Sequence, residues 1–187
     1  MELLESLDEI DRKIIQYLQD DASMTHSKIA KLLDRSQPAI GARIKKLESK
    51  GLIATQIGVN FHEMDAFHLV MLNIKTSRVV DIMELSEFCP FIINALKTSG
   101  DYNMTIFLAS TNLKQLDKVI DRHFREKEWT QSIDMKLVTG IAKKLIFPID
   151  FNIEKIAESE DPCADSPYCA HAREEAGKRS PEELNLA

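Results

Sequence analysis

Between Asp34 and Ile53 the chain reads DRSQPAIGARIKKLESKGLI. This stretch restricts the fold more than any other. Ser36 is a helix-capping residue, and Pro38 falls in the first turn, where its missing N–H costs nothing. Ile40, Ile44 and Leu47 recur at i, i+4 and i+7, the apolar stripe of a helix that buries one face. Gly51 then provides the C-terminal stop. The spacing predicts a helix with one buried side and an outer surface formed by Gln37, Gly41, Arg43, Lys45 and Lys46.

The residues before it predict two more short helices. Ser6, with Glu9 three positions on, has the form of a capping box. Ile10, Ile14, Tyr17 and Leu18 share one face of a helix over 7–20. Thr25 can cap a second helix that carries Ile29, Leu32 and Leu33, and Asp34-Arg35 leaves room for only a tight connection. Three short helices with a tight second turn form a helix-turn-helix whose third member reads DNA. Ile53–Ile57 and Val59–Phe61 are short enough for a wing hairpin, so residues 1–61 are expected to be a winged helix-turn-helix domain.

The candidate DNA-contacting residues are Ser36, Gln37, Arg43, Lys45 and Lys46. Gln37 is of a type that bonds adenine edges, and Arg43 of a type that bonds guanine or phosphate. Gly41 has two readings: backbone approach to DNA, or tight packing against another helix.

The net charge of -6 looks unfavourable for binding a polyanion, but it is unevenly distributed. Residues 148–187 alone carry a balance of -6, and residues 1–21 carry -5. Residues 28–50 hold seven bases against Asp34 and Glu48, a balance of +5. A local basic patch in an acidic chain can hold phosphates while the acidic remainder limits indiscriminate binding.

From Phe67 the period changes. FHLVMLNIK reads as a strand, Ser77 as the cap of a helix to about Phe88, and Pro90 as its stop. FIINALKT and YNMTIFLA are strands joined across Ser99-Gly100-Asp101. Asn112 caps a helix with Leu113, Leu116, Ile120 and Phe124 on one face, and IDMKLVTGIAKKLIF closes as a strand. The class is α+β: a winged helix-turn-helix, a linker at 62–66, then a ferredoxin-like βαββαβ domain over 67–147. Residues 148–187 form an acidic, proline-containing tail whose composition by itself predicts disorder.

Residues Leu7 to about Phe147 resemble the leucine-responsive/asparagine regulator (Lrp/AsnC) family of transcription factors. The resemblance rests on Leu7, Asp8, Asp11 and Ile14 in the opening helix, on RIKKLESKGLI from Arg43 to Ile53, and on SGDYN from Ser99 to Asn103. It implies a sequence-specific regulator of double-stranded DNA, a homodimer formed by packing two sheets, and assembly of dimers into higher oligomers. It also implies a small effector, often an amino acid, held near Gly100, Asp101, Tyr102 and Asn103. The family commonly has aspartate where this chain has Asn103. An amide can bond a ligand but offers no charge to an ammonium group. The bare reading of the same turn is a hairpin connection.

Cys163, Cys169 and His171 lie in the tail, and Cys89 lies far upstream. In the expected sheet, Cys89 and the tail emerge at the same end, on opposite edges roughly 14 Å apart at ordinary strand spacing. Fifteen extended residues span that distance. Three thiols and an imidazole suit a zinc ion or an iron–sulfur cluster. A redox disulfide needs no metal, and a small buried hydrophobe needs neither.

No catalytic motif is present, so no catalytic residue is nominated. The enzyme alternative is the sirohaem decarboxylases, which share the two-domain architecture and act on a tetrapyrrole. A tail that docks another protein is a third class. No apolar run approaches the length of a membrane span and no leader pattern opens the chain, which points to a cytoplasmic protein with no membrane partner.

Overall fold

The computed structural model describes residues 7–151 together with Ile153 and Cys163. The chain divides after Gln56 into two compact units.

The first unit holds α1 (Glu9–Asp20), α2 (His26–Leu33) and α3 (Gln37–Ser49). Their starts follow from local hydrogen bonding. Thr25 accepts the Lys28 N–H and Ser36 accepts the Ala39 N–H, as the sequence suggests. The first cap differs from the Ser6–Glu9 expectation: Asp8 accepts the Asp11 N–H at 2.8 Å, and Asp11 accepts the Asp8 N–H at 3.4 Å. Aspartate caps a helix as well as serine does, so the box shifts by two residues. Ser6 lies outside the described residues.

Asp34 takes a left-handed conformation (φ 51°) and turns the chain tightly between α2 and α3. Gly51 (φ 65°) ends α3 in a Schellman motif, with Leu52 N–H on the Leu47 carbonyl and Gly51 N–H on the Glu48 carbonyl. Ile14, Ile29, Ala30, Ile40, Ile44 and Leu47 are the buried core.

The wing hairpin is not formed among the described residues. Residues 53–58 are irregular, and β1 (Val59–Asn60) pairs with β6 (Ile146–Phe147). Residues 57–61 therefore belong to the second unit rather than to the first. Gly58 explains part of this: a Cβ there would lie 2.4 Å from the Phe147 carbonyl oxygen, so only glycine allows the two strands to approach.

The second unit continues through β2 (His68–Thr76), α4 (Val79–Phe88), β3 (Ile92–Lys97), β4 (Met104–Ser110) and α5 (Leu113–Ile120). A π-helical turn (Asp121–Arg125) then leads to β5 (Thr130–Leu137). The four-stranded sheet has the order β3-β4-β2-β5 with every pair antiparallel, the ferredoxin-like arrangement expected from the element order. Val70, Leu72, Ile74, Ile106 and Leu108 are fully buried in one core cluster with Ile82, Leu116, Ile120 and Phe124.

Leu69 and Ala109 face the other way and pack with Phe61, Phe67 and Phe147. That roof is why 133–147 is not one strand. β5 stops at Leu137, and residues 138–145 lead to β6, where Phe147 stands 6.0 Å from the Phe107 ring. The start of α4 also differs from the reading. Ser77 donates its N–H to the Trp129 carbonyl and caps nothing, while the Thr76 hydroxyl accepts the Arg78 N–H.

The turn between β3 and β4 has a specific lock. The Asn103 side chain accepts the Thr76 N–H at 2.9 Å and donates to the Thr76 carbonyl at 2.7 Å. Its amide thus serves as an extra strand neighbour where the β2–β5 register shifts, between Lys75 and Thr76. Asn103→Ala strands two backbone groups and should destabilise the second unit by roughly 1–3 kcal/mol. Urea unfolding followed by the near-ultraviolet signal of Trp129 checks this, and a change within error would mean that water replaces the amide at no cost.

Candidate nucleic-acid interface

The α3 stripe of Ile40, Ile44 and Leu47 turns one side of the helix into the core and so determines what every other position faces. At 100° per residue, Gln37 and Gly41 stand on one flank, Arg43 on the other, and Ala42, Lys45 and Ser49 opposite the core. The contacts agree. On the first flank, the Ser27 hydroxyl donates to the Gln37 Oε1 at 2.9 Å. A Cβ on Gly41 would lie 3.3 Å from His26 Nδ1, so this glycine lets α3 pack closely on α2. Of its two sequence readings, helix packing accounts for it.

On the other flank, Arg43 Nη1 donates to Asp8 Oδ2 at 2.6 Å and to Asp11 Oδ1 at 2.7 Å. Asp11 is buried. The Asp8 carboxyl is held below its ordinary range, first by the Asp11 N–H and then by the Arg43 side chain. The Arg43 guanidinium is pushed above its ordinary range by its bonds to Asp11 and Asp8. Arg43, expected to contact DNA, is thus engaged by the two aspartates of α1's capping box. Ser36 is engaged as the α3 cap.

Lys45 and Lys46 remain exposed on the outer face, as do Pro38, Ala39, Ala42 and Ser49. The small residues are a feature that nominating polar side chains misses. They keep the outer face low, so a groove can come close to the α3 backbone. Their signal was present in the spacing, since Ala42 lies opposite the Ile40–Ile44 stripe. Lys28, Lys31, Arg35 and Lys50 are exposed too.

The other nominated residues lie in the second unit. Gly100 (φ 111°) and Asp101 are exposed at the β3–β4 turn, and Tyr102 is half-buried with its carbonyl accepting the Thr98 hydroxyl. Asn103 uses one acceptor and one donor of its amide on Thr76, which fixes the side chain against β2.

Cys89 and Cys163 are both buried in the core cluster beneath the sheet, and neither is in a disulfide. His123, on the π-helical turn, places Nε2 3.1 Å from Cys163 Sγ. From the sequence alone His123 reads as a structural histidine, and a single bond to a buried thiol is compatible with that. Cys169 and His171 lie outside the described residues. Among the described residues, no three His, Cys, Asp or Glu side chains gather to hold an ion. No helix among them is long and apolar enough to cross a membrane.

Residues 7–54 match the winged helix-turn-helix DNA-binding family. The HTH-type transcriptional regulator FL11 of Pyrococcus furiosus is 27% identical over 118 residues, covering 62% of this chain and 78% of the relative. Escherichia coli AsnC superposes with a TM-score of 0.61 at 20% identity over 74% of this chain and 97% of that one. The Neisseria meningitidis transcriptional regulator NMB0573, solved as a complex with L-Met, superposes at 0.64 with 17% identity over 76% of this chain and 97% of that one. The chain therefore couples a winged helix-turn-helix DNA-binding domain to an α+β domain of the AsnC/Lrp fold, and its relatives are transcriptional regulators.

Proposed function

We propose that this protein is a sequence-specific transcriptional regulator of the Lrp/AsnC type that binds duplex DNA through α3. The observation that carries the reading is the geometry of that helix. Its apolar stripe and both flanks are occupied by α1 and α2, and its low outer face is flanked by exposed lysines. A face of this shape fits a major groove. Lys45 and Lys46 supply phosphate contacts, and the Gln37 amide, at the N-terminal end, is the base-reading candidate. Arg43 acts as a positioning residue that fixes the rotation of α3 against α1. The acidic balance outside residues 28–50 weakens indiscriminate binding and so favours selective sites.

The second unit is proposed to assemble two copies through the sheet face opposite its helices. Met71 and Phe107 are register partners there and are half-buried in the single chain. Dimers of dimers follow if a small effector bridges the exposed Gly100–Asp101 turn. Asp101 offers a carboxylate to a cationic group, while Asn103 contributes backbone order. Nothing in the relatives' names points to decarboxylation of a tetrapyrrole.

DNA from the protein's own upstream region, titrated by fluorescence anisotropy at increasing salt, should show a steep loss of affinity. Lys45→Ala and Lys46→Ala should each lower affinity across all sequences and reduce the salt slope by about 1. A flat salt response in the unmodified protein removes the regulator reading.

Arg43→Ala and Asp11→Asn separate reading from positioning. If Arg43 positions α3, both variants lower the stability of the first unit, the arginine change by roughly 1–3 kcal/mol, and both lose DNA affinity together. If Arg43 reads a base, Asp11→Asn leaves affinity intact or improves it.

The same clamp has a pH signature. The folded Asp8 carboxyl titrates below its unfolded value of about 4, so its contribution is present above that pH and is lost as pH falls through the folded value. Acid unfolding of the first unit should therefore shift in Asp8→Asn, while unfolding near neutral pH shifts less. Equal shifts at both pH values would show that the carboxylate charge is irrelevant.

A further inference from the structure

We propose that Ser27 is a positioning residue for base recognition: its hydroxyl holds the Gln37 amide in the orientation that reads an adenine edge in the major groove. This role rests on α3 being the DNA-binding helix, as proposed above, and adds a base and a selecting residue outside α3.

One contact joins the two helices at this point. The Ser27 hydroxyl donates to Gln37 Oε1 at 2.9 Å, across ten residues of sequence and from α2 to α3. Both side chains are exposed, so burial does not demand the bond. A neutral hydrogen bond in the open adds little to stability, because water satisfies each partner nearly as well. What it changes is direction.

The backbone end of the glutamine is fixed too. Gln37 is the first residue of α3. Ser36 caps that turn through the Ala39 N–H, and Pro38 follows Gln37 directly. A proline restricts the backbone of the residue before it, so the Cα–Cβ bond of Gln37 has a set direction. Ser27 is equally constrained. Thr25 accepts the Lys28 N–H at the start of α2, and Ile29 and Ala30 seat that helix in the core. His26, next to Ser27, lies against Gly41, where a Cβ would stand 3.3 Å from the ring nitrogen. Gly41 is about one helical turn beyond Gln37, so the approach it allows brings the first turns of α2 and α3 within hydrogen-bond reach. The glutamine is thereby held at both ends. A free glutamine has several rotatable bonds, and ordering them opposes binding. Here that order exists before DNA arrives.

Hydrogen-bonding capacity identifies the base. A carboxamide oxygen accepts two hydrogen bonds and its nitrogen donates two. Ser27 uses one acceptor site, and among the described residues no group takes either Gln37 amide N–H. The second acceptor site and one N–H match the N6 donor and N7 acceptor of adenine, the bidentate pairing open to glutamine in the major groove. Guanine presents acceptors at both N7 and O6, so an oxygen fixed in this place meets O6 with no proton between them. Holding Oε1 therefore selects against guanine as well as for adenine.

The test uses the full chain and a duplex recovered from a randomised pool, with each base pair of the site then varied in turn. The unmodified protein should prefer A·T over G·C by about tenfold at one position, and Gln37→Ala should erase that preference. Ser27→Ala should lower it by about fivefold at the same position, with the salt slope, the affinity for random duplex and the thermal unfolding midpoint unchanged. Ser27→Thr keeps the hydroxyl and should keep the preference. Ser27→Ala combined with Gln37→Ala should be no worse than Gln37→Ala, as for two residues acting through one contact. The proposal is overturned if Ser27→Ala keeps the full preference, or if it changes a different position from Gln37→Ala. It is equally overturned if Ser27→Ala weakens binding to all sequences alike with a smaller salt slope, the mark of a phosphate contact. A G·C pair at the position lost in Gln37→Ala, or a preference that survives Gln37→Ala, overturns it as well. Salt-dependent duplex binding is a separate readout, so each of these failures leaves the regulator reading standing.

Discussion

Arg43 bridging Asp8 and Asp11 is the contact on which the candidate interface depends. Its strength is modest. The Arg43 side chain is 35% exposed and that of Asp8 50%, and ion pairs this open contribute about 0.2–1 kcal/mol each. Its importance lies in direction. The stripe of Ile40, Ile44 and Leu47 fixes which side of α3 is buried, but a stripe alone allows some rotation. A guanidinium held by two carboxylates from α1's first turn reduces that freedom, because Asp8 and Asp11 are themselves fixed to each other by the capping box. One pair of aspartates thus caps one helix and orients another. Asp11 makes the arrangement hard to dismantle, since removing Arg43 leaves a nearly buried carboxylate without its cation.

The second unit meets a different constraint: its sheet has two faces, and α4 and α5 cover one of them. The other is roofed at one end by the segment through Phe147, which brings β6 against β1 at Gly58. The rest of that face, around Met71 and Phe107, is half-open. Asn103 stabilises the far end by giving Thr76, the last residue of β2, two hydrogen bonds where the β2–β5 register shifts. Asn103 is therefore accounted for by backbone order.

Legibility in the sequence followed the range of the interaction. The periods of Ile40–Ile44–Leu47 and of Leu116–Ile120–Phe124, the caps at Thr25, Ser36 and Asn112, and the stop at Gly51 are set within a few residues, and all were readable. The strand order followed from the element order, because antiparallel hairpins and helical crossovers leave few arrangements open. Pairings over long separations were not readable. Val59–Asn60 looked like a wing strand because nothing local says that its partner lies at Ile146–Phe147. The two carboxylates that hold Arg43 are 32 and 35 residues away, so no local pattern shows them. The partner of His123, Cys163, is 40 residues away and equally out of local range. The Ser27 hydroxyl that donates to Gln37 stands ten residues back, likewise beyond any local pattern.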